Sequence, residues 1–150
     1  MKAQIKWTEG MKFESTAEGH SLMMDAKAPI GSNTAMTPKE LVAVGLGGCT
    51  AMDVVALLKK HKQGYKTVDL DVDIETSTSG QPVVFNCAKL TFRVTGEVEK
   101  EILLNAVELS QTKYCGVSAM LVKAFPISYV VELNGEKIGE GKADFGAVNG

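Results

Sequence analysis

The sequence has no excess of either charge. Its sixteen Lys and Arg stand against eighteen Asp and Glu, for a net charge of −2. That leaves no basic stripe for nucleic acid and no acidic tail. Arginine is nearly absent: Arg93 is the only one. Cysteine is scarce as well, and Cys49, Cys87 and Cys115 cannot all pair within one chain, which argues against a secreted disulfide scaffold. No CxxC occurs, and His20 and His61 lie at no ligand spacing from the cysteines, so no metal site is expected. Gly-rich phosphate loops and a GxSxG elbow are missing too, and no cofactor is expected. The opening MKAQIKWTEG lacks an apolar stretch of the signal-peptide kind. A cytoplasmic chain with reduced thiols is therefore expected.

What is present is a chain of 150 residues, 45% apolar, with no repeat and no low-complexity linker. That fits one domain over residues 1–150. The first third reads as three short antiparallel strands, Gln4–Thr8, Lys12–Thr16 and His20–Asp25, with Gly10 and Gly19 where hairpins need positive φ. Residues 26–36 read as loop. Thr37-Pro38-Lys39-Glu40 then combines an N-cap, a proline at the first helical position and a glutamate three residues after the cap. The helix so opened should run to about His61.

Within it, Leu41–Leu58 carries Asp53 as its only charge. Such a stretch reaches the lower length of a membrane span. With Asp53 inside it and no second span, the pattern fits a fully buried central helix better. Gly45, Gly47 and Gly48 weaken it locally and imply a close approach by another backbone.

Val68–Glu75 alternates apolar and acidic residues, as a strand wet on one face does. Val83–Thr95 reads as a second long strand, Glu97–Leu109 as a second helix broken by Ser110–Tyr114, and Ile127–Leu133 with Lys137–Glu140 as a closing hairpin. The class is α+β.

Cys49 and Cys115 are the candidate thiols. Cys49 sits in the apolar helix, where a lone cysteine is ordinarily a small buried hydrophobe. Asp53 shares its face at i+4 and reads either as an influence on the thiol or as a structural carboxylate bound to backbone donors or a lysine. Cys115 follows a polar stretch that implies partial access to solvent, and a helical turn after it would favour the thiolate. Cys87, mid-strand, reads as packing.

TPKELVAVGLGGCTAMDVVALLKK around Cys49 and KYCGVSAML around Cys115 resemble the two cysteine motifs of the OsmC-like family (osmotically inducible protein C and organic hydroperoxide resistance proteins). The element order resembles that family along the whole chain. The resemblance implies an intertwined homodimer with the central helices packed together. It also implies a thiol peroxidase that reduces organic hydroperoxides in oxidative stress defence. Cys49 would be peroxidatic and Cys115 resolving, and a dithiol reductant, for which a lipoylated protein is one candidate, would reopen the disulfide. Neither nucleic acid nor membrane is implied as a partner.

The chain departs from that pattern in two places. Peroxidases of the family use an arginine before the first cysteine motif, and residues 1–92 here contain none. Their glutamate ten residues before the first cysteine is replaced by Lys39, with Glu40 one step along. Lys39, Lys27, Glu40 and Asp53 are the candidate supports. The alternative reading is a non-peroxidase OsmC-like dimer that binds a small ligand or senses redox state through the cysteine pocket.

Overall fold

The computed structural model describes residues 1–146. They fall into two compact units divided between Val42 and Ala43, a boundary inside the first helix.

In the first unit, β1 (Ala3–Glu9), β2 (Lys12–Ala17) and β3 (His20–Met24) form an antiparallel sheet in sequence order. The β2–β3 turn takes Glu18 and Gly19 at φ +49° and +84°, the paired positive values of a tight hairpin. Residues 26–36 are a loop, but a tethered one. Asp25, buried at the end of β3, accepts bonds from the backbone N–H groups of Ala26, Ser32 and Thr34 and from the Thr34 hydroxyl. A Cβ on Gly31 would lie 2.2 Å from the Ala26 carbonyl oxygen, so this loop accepts only glycine there. The capping box closes as expected: Thr37 N–H donates to Glu40 Oε2 (2.8 Å) and Glu40 N–H to Thr37 Oγ1 (3.3 Å).

The helix it opens, α1, spans Pro38–Lys60. In the second unit follow β4 (Gly64–Thr76), β5 (Phe85–Glu97), α2 (Lys100–Leu109), α3 (Gly116–Leu121), β6 (Ile127–Leu133) and β7 (Glu136–Lys142). The four strands form one sheet in sequence order; β5 and β6 are parallel, the other pairs antiparallel. The connection from β5 to β6 therefore has to cross over, and it carries both later helices. α2 begins at Lys100 rather than Glu97, because β5 continues through a bend at Gly96 (φ +121°) that leaves Glu97 paired with Gly64.

Ser110–Tyr114 correct a second expectation. They do not break the helix but prolong α2 as one π-helical turn. The core is one cluster: Leu46, Val54 and Leu58 of α1, Leu90 and Phe92 of β5, Leu103 and Val107 of α2, Ile127 and Val131 of β6. The alternation in β4 holds, with Val68, Leu70, Val72 and Ile74 turned toward that cluster.

α1 is long and apolar enough to cross a membrane by length and composition alone. Within the chain it is a core helix buried along one face. Only Leu46, Thr50, Val54 and Leu58 are buried, while Val44 and Met52 are 53% and 74% exposed. Gly47 accommodates a side chain, Val72, rather than a backbone, and Gly45 and Gly48 face open space.

Candidate functional site

Cys49 and Asp53 lie one turn apart on α1, as their i, i+4 spacing requires. The π turn delivers Cys115 to the same place. It reaches the junction of α2 and α3 as the N-cap of α3, its sulfur accepting the Ser118 N–H at 3.3 Å. The two Sγ atoms and an Asp53 carboxylate oxygen all lie within 4.8 Å of one another. Residues 66 apart in sequence thus make one cluster of two thiols and a carboxylate.

Cys115 is fully buried, which corrects the partial access read from its polar neighbours. Burial pushes its thiol up to about 11, with the adjacent Cys49 acting the same way and the Ser118 hydroxyl and N–H acting against it. The expectation of a favoured thiolate fails for that reason. Cys49 is half-buried. Burial also raises the Asp53 carboxyl above its ordinary value, opposed by one hydrogen bond from Ser110 Oγ (2.9 Å).

The partner of Asp53 is therefore a hydroxyl, where a backbone donor or a lysine was expected. Ser110 is itself held: its Oγ lies 2.7 Å from Thr50 Oγ1, and Gln111 Nε2 donates to Thr50. Because the Ser110 proton goes to Asp53, Thr50 donates to Ser110, and the bonds run in one direction from Gln111 through Thr50 and Ser110 to the carboxylate. Thr50, Ser110 and Gln111 are all fully buried. Read from sequence, Ser110 and Gln111 signalled an exit to solvent; here their polarity serves a buried network.

Of the remaining candidates, Glu40 and Lys27 pair with each other. Glu40 lies in the first unit, where its carboxylate caps α1 and pairs with Lys27 at 2.8 Å. Lys39 is the second residue of α1 in the same unit. Arg93 faces the solvent side of the sheet, paired with Asp71 and, at 3.6 Å, with Glu132. Cys87 sits in β5 opposite Glu75, and burial raises its thiol.

A fold of this topology with two facing thiols is that of a known class, and a family model for OsmC-like protein matches residues 31–130. The chain belongs to the OsmC-like family. Among its relatives, Protein YhfA of Escherichia coli (strain K12) is 37% identical over 136 residues, 89% of this chain and 98% of that protein. A hypothetical protein from Aquifex aeolicus VF5 has a crystal structure with a TM-score of 0.75 at 25% identity, covering 89% of this chain and 96% of the other. An organic hydroperoxide resistance protein OsmC from Legionella pneumophila has the same fold at 16% identity, with a TM-score of 0.66 over 87% and 95% of the two chains.

Proposed function

We propose that this chain is a thiol peroxidase of the OsmC-like family that reduces organic hydroperoxides in oxidative stress defence. The observation that carries the reading is the juxtaposition of Cys49 and Cys115 within 4.8 Å, with only Cys115 fully buried. The more accessible sulfur is the one a peroxide reaches first. As a thiolate, Cys49 attacks the terminal oxygen of ROOH. The S–O bond forms, the O–O bond breaks, and the departing alkoxide takes up a proton as the alcohol. Cys115 then attacks the Cys49 sulfenic sulfur, forming the disulfide, and the hydroxyl leaves with the Cys115 proton as water. A dithiol reductant, such as a lipoylated protein, returns both sulfurs to thiols. A reducing cytoplasmic setting belongs to the same reading.

Intact mass after a pulse of cumene hydroperoxide tests it. Wild type should lose two hydrogens. Cys115→Ser should gain one or two oxygens, because its sulfenic acid has no thiol to condense with. Cys49→Ser should not react, and Cys87→Ser should behave as wild type. Oxygen appearing on Cys115 in Cys49→Ser would reverse the roles.

One observation favours a second reading. Arg93, the only arginine, pairs with Asp71 and Glu132 on the solvent side of the sheet, and a peroxidatic thiolate is ordinarily stabilised by a cation. On that reading the pair binds a small ligand or senses redox state. Turnover of cumene hydroperoxide no faster than with free dithiol would select it.

The same proposal includes a homodimer. The exposed Val44 and Met52 give α1 an apolar face, and beside it runs an open groove of about 690 Å³ lined by Ala43, Gly47, Ala51, Leu70 and Val72 and edged by Asp69, Asp71 and Asp73 of β4. A second copy of α1, equally apolar, is the occupant that fits it.

A further inference from the structure

We propose that Cys49, Asp53 and Cys115 form a binding site for a zinc-class divalent cation. The donor set is two sulfurs and one carboxylate, the mixed soft and hard chemistry that such ions take. Metal–sulfur and metal–oxygen bonds of about 2.3 and 2.1 Å put two donors on one tetrahedral ion at most about 3.8 Å apart. The three donor atoms here already lie within 4.8 Å of one another. Closing the difference takes about 1 Å, within reach of small χ adjustments.

The surroundings of the donors point the same way. Ser110 Oγ donates to Asp53 Oδ2, which anchors the carboxylate beside the two sulfurs. Cys115 Sγ receives the Ser118 N–H, the kind of bond that orients a thiolate ligand. The Ser118 hydroxyl, fully buried, acts on the same sulfur and favours its thiolate. The anchor is itself rigid, since Thr50 and Gln111 fix Ser110. Three protein donors leave a fourth position for water, as in open zinc sites.

Electrostatics supplies the reason for a cation. Two thiols and a carboxylate share a partly desolvated space, and burial raises both Asp53 and Cys115. A divalent ion neutralises such a group in one step, displacing the Cys115 proton as it binds.

The test is anaerobic titration of the full reduced chain with Co²⁺, followed by competition with Zn²⁺, in the absence of any peroxide. One Co²⁺ per chain should bind, with thiolate-to-cobalt charge-transfer absorption and the intense visible bands of a four-coordinate ion, and Zn²⁺ should displace it. At least one proton should be released per cation. Cys49→Ser and Cys115→Ser should each lose the charge-transfer intensity of one sulfur, and Asp53→Asn should weaken binding by about tenfold or more. Cys87→Ser should bind as wild type. Circular dichroism of each variant separates loss of ligand from loss of fold; Asp53→Glu, which keeps the charge, should recover part of the affinity. Absent charge-transfer bands in wild type, or unchanged binding in folded Asp53→Asn, would overturn the proposal. Because no peroxide enters, the result is independent of whether the thiols reduce one.

Discussion

Cys115 gains from burial what it loses in reactivity. A sulfur fully enclosed and pushed up to about 11 stays protonated at neutral pH. In the native protein it should react with iodoacetamide more slowly than the half-buried Cys49, as read by peptide mass after timed quenching. Equal labelling of both at pH 8 would contradict the enclosed position. Ser110 offers a second residue-scale test. Its hydroxyl is the donor to Asp53 and the acceptor for Thr50, so Ser110→Ala leaves the buried Thr50 hydroxyl without an acceptor and the part-buried Asp53 without its donor. The expected cost is about 1–3 kcal/mol in denaturant unfolding, against a much smaller effect at an exposed serine. Little of this was legible beforehand. The helical spacing of Cys49 and Asp53 showed that they share a face, but which hydroxyl holds the carboxylate is decided by a residue 57 positions away. The apparent helix break at Ser110–Tyr114 misled for a physical reason: polar residues at a helix end satisfy one another inside the protein as well as they satisfy water.

Elements were more readable, because their signals are local. The capping box at Thr37–Glu40 and the strict alternation of Val68–Glu75 need no tertiary information, and both hold. The parallel pairing of β5 with β6 left no such mark, since it depends on where the crossover returns the chain. Asp25, which organises the loop over 26–36, was missed because all but one of its donors are backbone groups that any sequence has. At the start of α1, Glu40 is held from its ordinary 4.5 down to about 2, first by Lys27 and then by the Thr37 N–H. Its contribution to stability is complete above about 4.5 and is lost as pH falls toward 2. Glu40→Gln should therefore flatten the acid limb of a stability profile across that window, and Thr37→Ala should cost about 1 kcal/mol at neutral pH. Further along the helix, a Cβ on Gly47 would lie 2.8 Å from Val72 Cγ2, on a stiff branched side chain. Gly47→Ala should destabilise the protein by about 1–3 kcal/mol. In a Val72→Ala background the same change should become favourable by about 1 kcal/mol, the ordinary helix preference for alanine.

For the whole molecule, the proposed homodimer predicts sedimentation as two copies at micromolar concentration and a melting temperature that rises with protein concentration. A folded monomer under those conditions would remove the occupant assigned to the α1 face. The fold itself was legible through the two cysteine motifs, whereas the bare patterning reached only the α+β class, because the apolar run of α1 does not reveal what covers it. The 66-residue span between the facing thiols has a thermodynamic meaning apart from any chemistry. A bond between Cys49 and Cys115 would restrict the unfolded chain far more than the folded one, where the two sulfurs are already neighbours. The lost freedom of a loop that long corresponds to about 4 kcal/mol. Oxidised protein should then melt about 10 °C above reduced protein. Melting temperature would thus record how much of a population is oxidised.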